Sequence, residues 1–76
     1  MNIKEFKKAF ESGVGADRII ILHNGAIYYA TDYNFFKSKI DKVKVIVNLY
    51  CYEEEIGSCD LKNIKDVFWI WTKMNL

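Results

Sequence analysis

Asn24-Gly25 lies between two five-residue apolar runs, Ile19-Ile20-Ile21-Leu22-His23 and Ala26-Ile27-Tyr28-Tyr29-Ala30. No other feature of the chain constrains its folding so tightly. Asn-Gly is the pair best suited to the positive φ angles of a two-residue type I′ turn, and β-rich runs on either side make it a hairpin signal. Such a turn sets His23 opposite Ala26, Leu22 opposite Ile27, Ile21 opposite Tyr28 and Ile20 opposite Tyr29. One face then carries Ile20, Leu22, Ile27 and Tyr29. The other carries Ile19, Ile21, His23, Ala26, Tyr28 and Ala30, where the two alanines leave room for a helix.

The flanking segments supply the rest of the architecture. Asn2 and Glu5 form a capping-box pair ahead of a helix, with Ile3, Phe6 and Phe10 on one side and Lys4, Lys7, Lys8 and Glu11 on the other. Gly13 offers that helix a left-handed stop. Asp32 reads as a second N-cap, opening a short helix to Ile40 with Phe36 and Ile40 on one face. From Val43 to Tyr52 the chain alternates, with Val43, Val45, Val47, Leu49 and Cys51 on one side and Lys44, Ile46, Asn48, Tyr50 and Tyr52 on the other. That pattern suits a strand whose sheet is covered on one face. A helical turn over 60–64 and a strand over 66–73 complete the order α-β-β-α-β-β. The expectation is a single α+β domain over residues 1–76: two layers, with two short helices on one face of a four-stranded, mostly antiparallel sheet.

Composition narrows the function classes. Eleven basic and ten acidic residues leave a net charge of +1, and Arg18 is the single arginine. A strongly basic nucleic-acid module and an acidic DNA mimic both fit that balance poorly. No stretch reaches the roughly 20 apolar residues of a membrane span, so a cytoplasmic protein with reduced Cys51 and Cys59 is expected. His23 is the one histidine, and the two cysteines alone do not complete a four-ligand zinc set, so no metal or other cofactor is expected. Gly13-Val14-Gly15 lacks the Lys-Ser/Thr of a phosphate loop, and no catalytic motif is present.

The aromatic residues carry the functional expectation. On the face opposite the helices, Tyr29, Tyr50 and Tyr52 join Ile27 and Ile46, framed by Lys44 and Asn48. If the last strand turns the same way, Trp69 and Trp71 extend that face while Phe68 and Ile70 enter the core; a one-residue slip reverses this. The contrasting arrangement buries both tryptophans. A Tyr- and Trp-rich patch has the composition of a protein-binding hot spot, and Glu53-Glu54-Glu55 offers an acidic loop beside it. The same aromatics are the physical requirement for stacking single-stranded bases, with Lys37, Lys39, Lys42 and Lys44 as the nearest positive cluster.

The capped helix, the Asn-Gly hairpin, the Ala30-Thr31-Asp32-Tyr33 step and the aromatic last strand together resemble small accessory proteins of phages and mobile elements. The heavy use of Lys, Ile, Asn, Tyr and Phe resembles proteins of AT-rich Gram-positive hosts. That resemblance, which includes anti-CRISPR-type inhibitors, implies a non-enzymatic inhibitor of a host defence protein. It would dock on a larger protein such as a nucleic-acid-processing defence complex, with a homodimer as a further arrangement. A nucleic-acid or nucleotide binder is the alternative. It transfers no site residue.

Overall fold

The computed structural model describes residues 1–13, 17–40 and 43–70. The first element is the expected helix, α1 (Ile3–Glu11). The Asn2 side chain accepts the Glu5 N–H at 2.8 Å while Glu5 accepts the Asn2 N–H at 2.9 Å, closing the capping box. Phe6 and Phe10 are buried and stack at 5.5 Å, as i,i+4 neighbours on one helix face do. Ile3 lies at the margin of that face and stays exposed.

Among the described residues, the regular elements after α1 are strands apart from one 3-10 turn: β1 (Arg18–Leu22), β2 (Ile27–Ala30), β3 (Asp32–Lys37), β4 (Val45–Cys51), β5 (Glu54–Asp60), the turn η1 (Leu61–Asn63) and β6 (Ile64–Trp69). They form two three-stranded antiparallel sheets, ordered β2-β1-β6 and β3-β4-β5. The expected four-stranded sheet with two covering helices is therefore not formed. The sheets share their corners. At Thr31 the chain leaves β2 for β3, and the Thr31 N–H donates to the Tyr50 carbonyl at 2.7 Å. Through η1 it leaves β5 for β6, where the His23 N–H donates to the Asn63 carbonyl at 2.9 Å. Ile20, Leu22, Ala30, Val47, Leu49, Leu61, Ile64 and Val67 line the inside, together with Phe6 and Phe10 from α1.

The segment expected as a second helix is β3. Tyr33, Phe35 and Phe36 favour a strand, and Tyr33 and Phe35 alternate inward, where the Phe6 ring meets them edge-on at 5.0 and 5.6 Å. Asp32 accepts only the adjacent Tyr33 N–H and caps no helix. Packing of a helix ring on a strand overrides the cap-like signal here.

The Asn24-Gly25 hairpin forms, but with a register one residue away from that of a type I′ turn. Ile19 faces Tyr29, Ile20 faces Tyr28 and Ile21 faces Ile27. Gly25 donates to the Leu22 carbonyl at 3.0 Å, the Leu22 N–H donates to the Ala26 carbonyl at 2.9 Å, and Gly25 takes φ +91°. This is a three-residue loop with glycine in the left-handed position, the next commonest hairpin connection. Ile27 and Tyr29 lie outside and Tyr28 and Ala30 inside, as expected; because strand side chains alternate, the slip instead brings Ile20 and Leu22 inside and puts Ile19 and Ile21 outside, beside Tyr29 and Ile27. Tyr28 then crosses to the other sheet and lies over Gly57, where a Cβ would sit 2.8 Å from its ring.

The two-residue turn with positive φ at both positions occurs elsewhere. Tyr52 (φ 50°) and Glu53 (φ 73°) join β4 to β5, so Glu54 and Glu55 begin a strand rather than continue a loop.

The aromatic cluster under α1 has a consequence at alkaline pH. The Tyr33 hydroxyl donates to Glu11 at 2.5 Å, and burial, followed by that carboxylate, pushes its pKa from 10 up to about 12. The folded state holds this proton more tightly, so the stability it contributes is complete below pH 10 and is lost as pH rises through 10 toward about 12. Urea midpoints measured from pH 9 upward should fall, and Tyr33→Phe should flatten that decline. An unchanged decline in Tyr33→Phe would show that Tyr33 does not carry it.

Candidate functional site

The expected binding residues are distributed over three places. Tyr29 is on the outer face of the β2-β1-β6 sheet and 58% exposed. Tyr50 is on the outer face of the other sheet, partly buried, and accepts a hydrogen bond from Asn34 Nδ2 at 3.2 Å. Tyr52 and Glu53 form the β4–β5 turn, and Glu54 and Glu55 follow on exposed positions at the start of β5. Trp69 is partly buried against Gly13. Trp71 lies outside the described residues. A single aromatic face combining these groups is not formed.

The assignment of the last strand reverses. Phe68, expected in the core, is 51% exposed, while Val67 and Ile64 are buried. The cause is the pairing: Val67 faces buried Ile20 and Phe68 faces outward Ile19, while a register shift between Ile21 and Leu22, with Lys65 and Asp66 where regular alternation has one residue, lets Ile64 lie inside as well. Trp69 consequently turns toward α1. Gly13 supplies its space: a Cβ there would lie 1.8 Å from the indole. Gly13 is thus a packing position. The helix ends instead on Ser12 in the ordinary right-handed conformation.

The outward residues build a surface that the type I′ register does not assemble, because it sets Ile19 and Ile21 on the opposite face from Ile27 and Tyr29. Tyr29, Ile19 and Phe68 are direct cross-strand partners in one row, and Ile27, Ile21 and Asp66 in the next. Neighbouring strands are about 4.8 Å apart, so these rows form one continuous ridge across three strands. Ile27 is 52% exposed, and Ile19 and Ile21 are partly exposed between their larger neighbours. Three of these five apolar side chains, Ile27, Tyr29 and Phe68, are about half exposed and adjoin one another, and a contiguous apolar patch on a monomer is often a functional one. Asp66 is the charged member of these two rows, and one of its oxygens accepts the Val67 N–H at 2.9 Å. Arg18, although on β1, stacks its guanidinium over the Phe10 ring at 4.7 Å and donates to the Phe10 carbonyl at 2.7 Å, on the helix side.

A second feature lies at the corner beyond Tyr29. Thr31, Asp32, Asn34, Tyr50, Tyr52 and Glu53 line a cleft of about 420 Å³. The Tyr52 hydroxyl donates to Asp17 at 3.3 Å, and the negative charge of Asp17 raises the phenol's pKa. Of the cysteines, Cys59 is half-buried, and burial pushes its thiol pKa up, away from a reactive thiolate. No helix among the described residues is long and apolar enough to cross a membrane.

Ile19, Ile21 and Phe68 are the surface residues that sequence reasoning missed, whereas Ile27 is exposed as expected. A signal was available: a three-residue loop also uses Asn-Gly, and testing both registers would have exposed this face. Comparison of the chain with protein-family models, with curated proteins and with solved structures gives no match.

Proposed function

We propose that this chain is a non-enzymatic protein-interaction module, and that it binds a larger protein through the outer face of the β2-β1-β6 sheet. The observation that carries this reading is the uninterrupted row Tyr29–Ile19–Phe68, backed by Ile21 and Ile27, on a surface with no helix over it among the described residues. Burying such a ridge at about 25 cal/mol per Å² supplies the apolar centre of an interface. A stable interface buries about 1,200–2,000 Å² in all, so the partner must extend past these five side chains over the polar surface around them. Base stacking on Tyr50 and Tyr52 is the weaker reading, because Asp32 and Glu53 beside them repel a phosphate backbone.

Site-specific photo-crosslinking in the cells that make the protein tests this. A crosslinker at Phe68 should give one dominant adduct with a larger protein, and the same group at exposed Lys62, off the face, should give none. Tyr29→Ser should abolish the Phe68 adduct while leaving the thermal midpoint nearly unchanged. Equal labelling from both positions, no adduct, or an adduct with a second copy alone would contradict the proposal.

A further inference from the structure

The cleft at the Thr31 corner has its own chemistry. Two carboxylates, Asp32 and Glu53, line it together with the phenol rings of Tyr50 and Tyr52, and no lysine or arginine is among the lining residues. Glu53 makes no hydrogen bond or ion pair among the described residues, and Asp32 engages one oxygen with the Tyr33 N–H. The walls are held from behind. Asn48 Nδ2 donates to Asn34 Oδ1 at 3.1 Å, and Asn34 Nδ2 donates in turn to the Tyr50 hydroxyl at 3.2 Å. Thr31 Oγ1 accepts the Tyr52 N–H at 2.8 Å and fixes the turn. That turn keeps a tyrosine and a glutamate at positive φ, where Asn-Gly would sit without strain.

We infer that this cleft receives the guanidinium of an arginine side chain presented by a partner protein. A planar cation stacks on a tyrosine ring and at the same time forks toward a carboxylate, which an ammonium does less well. The volume falls within the range of small-ligand sites, and the open side admits a side chain attached to another chain. Asn34 and Tyr50 place the cleft on the β3-β4-β5 sheet, and none of its lining residues belongs to the apolar ridge on the β2-β1-β6 sheet. The inference rests on the interaction reading only for the source of the arginine. Guanidinium binding itself is independent of the ridge.

The test uses the full chain and N-acetyl-arginine-N-methylamide, followed by amide chemical shifts. Saturable shifts are expected at Asp32, Asn34, Tyr52 and Glu53, with a dissociation constant on the order of 10 mM for so small a probe. The uncharged citrulline analogue should give none, free L-arginine should bind no more tightly than the blocked residue, and Glu53→Gln should weaken binding at least about tenfold, one charge-assisted contact. Replacing Tyr52-Glu53 by Asn-Gly should raise the thermal midpoint and abolish binding. The inference is overturned by non-saturable shifts, by equal shifts from citrulline, by tighter binding of free L-arginine, or by binding that survives either variant. The ridge proposal stands or falls separately, since Tyr29→Ser should leave the probe's affinity unchanged; a loss there would overturn the separateness claimed for the cleft.

Discussion

Phe6→Ala should lower the thermal midpoint by about 20 °C, because emptying a buried aromatic site costs about 3–5 kcal/mol and each kcal/mol is worth about 4–8 °C in a domain this small. Phe6 is fully buried and joins α1 to both its helical neighbour and β3: its ring contacts Phe10, Tyr33 and Phe35 within 5.6 Å. Tyr33 and Phe35 are tied into the strand ladder by their pairing with Leu49 and Val47, so they cannot collapse into the space left behind. At roughly 0.05–0.15 kcal/mol per residue the whole domain is worth only about 4–11 kcal/mol, and much of that would be lost. Circular dichroism melts measure the effect. Ile3→Ala, on the exposed margin of the same helix, is the control and should shift the midpoint little. A drop below about 5 °C for Phe6→Ala would mean that the helix does not seal the core.

Gly13→Ala is the second large effect, with a cost of about 2–3 kcal/mol from overpacking. Its Cβ would overlap the Trp69 ring, with the three nearest ring atoms between 1.8 and 2.2 Å, so the indole must leave its site or the end of α1 must shift. A double-mutant cycle isolates the cause. In a Trp69→Ala background the Gly13→Ala cost should disappear, giving a coupling of about 2 kcal/mol between the two positions. Additive costs would place the loss in the backbone of the helix end rather than in the indole contact.

These two contacts mark where the sequence was and was not legible. The capping box of α1 is complete within four residues, so it could be read locally. The alternation of β4 was equally plain, and Val47 and Leu49 lie inside as it predicts. Tyr50 turns outward for the same reason, whereas Tyr52 belongs to the turn that follows. Other segments depended on partners far along the chain. Asp32 to Ile40 carries a cap-like acid and an i,i+4 pair of apolar residues, yet the Phe6 ring selects the strand by meeting Tyr33 and Phe35 on one side.

The hairpin is the clearest case. Asn24-Gly25 serves a two-residue and a three-residue loop equally well. What decides between them is that Ile20 and Leu22 are buried on the same side as Ala30 and as Tyr28, which reaches Gly57. The Tyr52-Glu53 turn gave no signal, because neither residue belongs to the usual turn formers. At β6 the pairing of Val67 with buried Ile20 turns Phe68 outward and Trp69 inward, and periodicity alone does not choose between those two faces. The candidate site was therefore legible in kind, an exposed apolar and aromatic sheet face with an acidic margin, but only Tyr29 of its central row was identified in advance.

Solvent paramagnetic relaxation of the wild-type protein, read at assigned side chains with a soluble gadolinium chelate, tests the placement of that face most directly. Ile27, Tyr29 and Phe68 should relax strongly, Ile19 and Ile21 to an intermediate degree, while Ile20, Leu22, Ala30 and Val67 remain protected. The reverse pattern on β1, with Ile20 and Leu22 relaxed and Ile19 and Ile21 protected, would restore the type I′ register and remove the binding face.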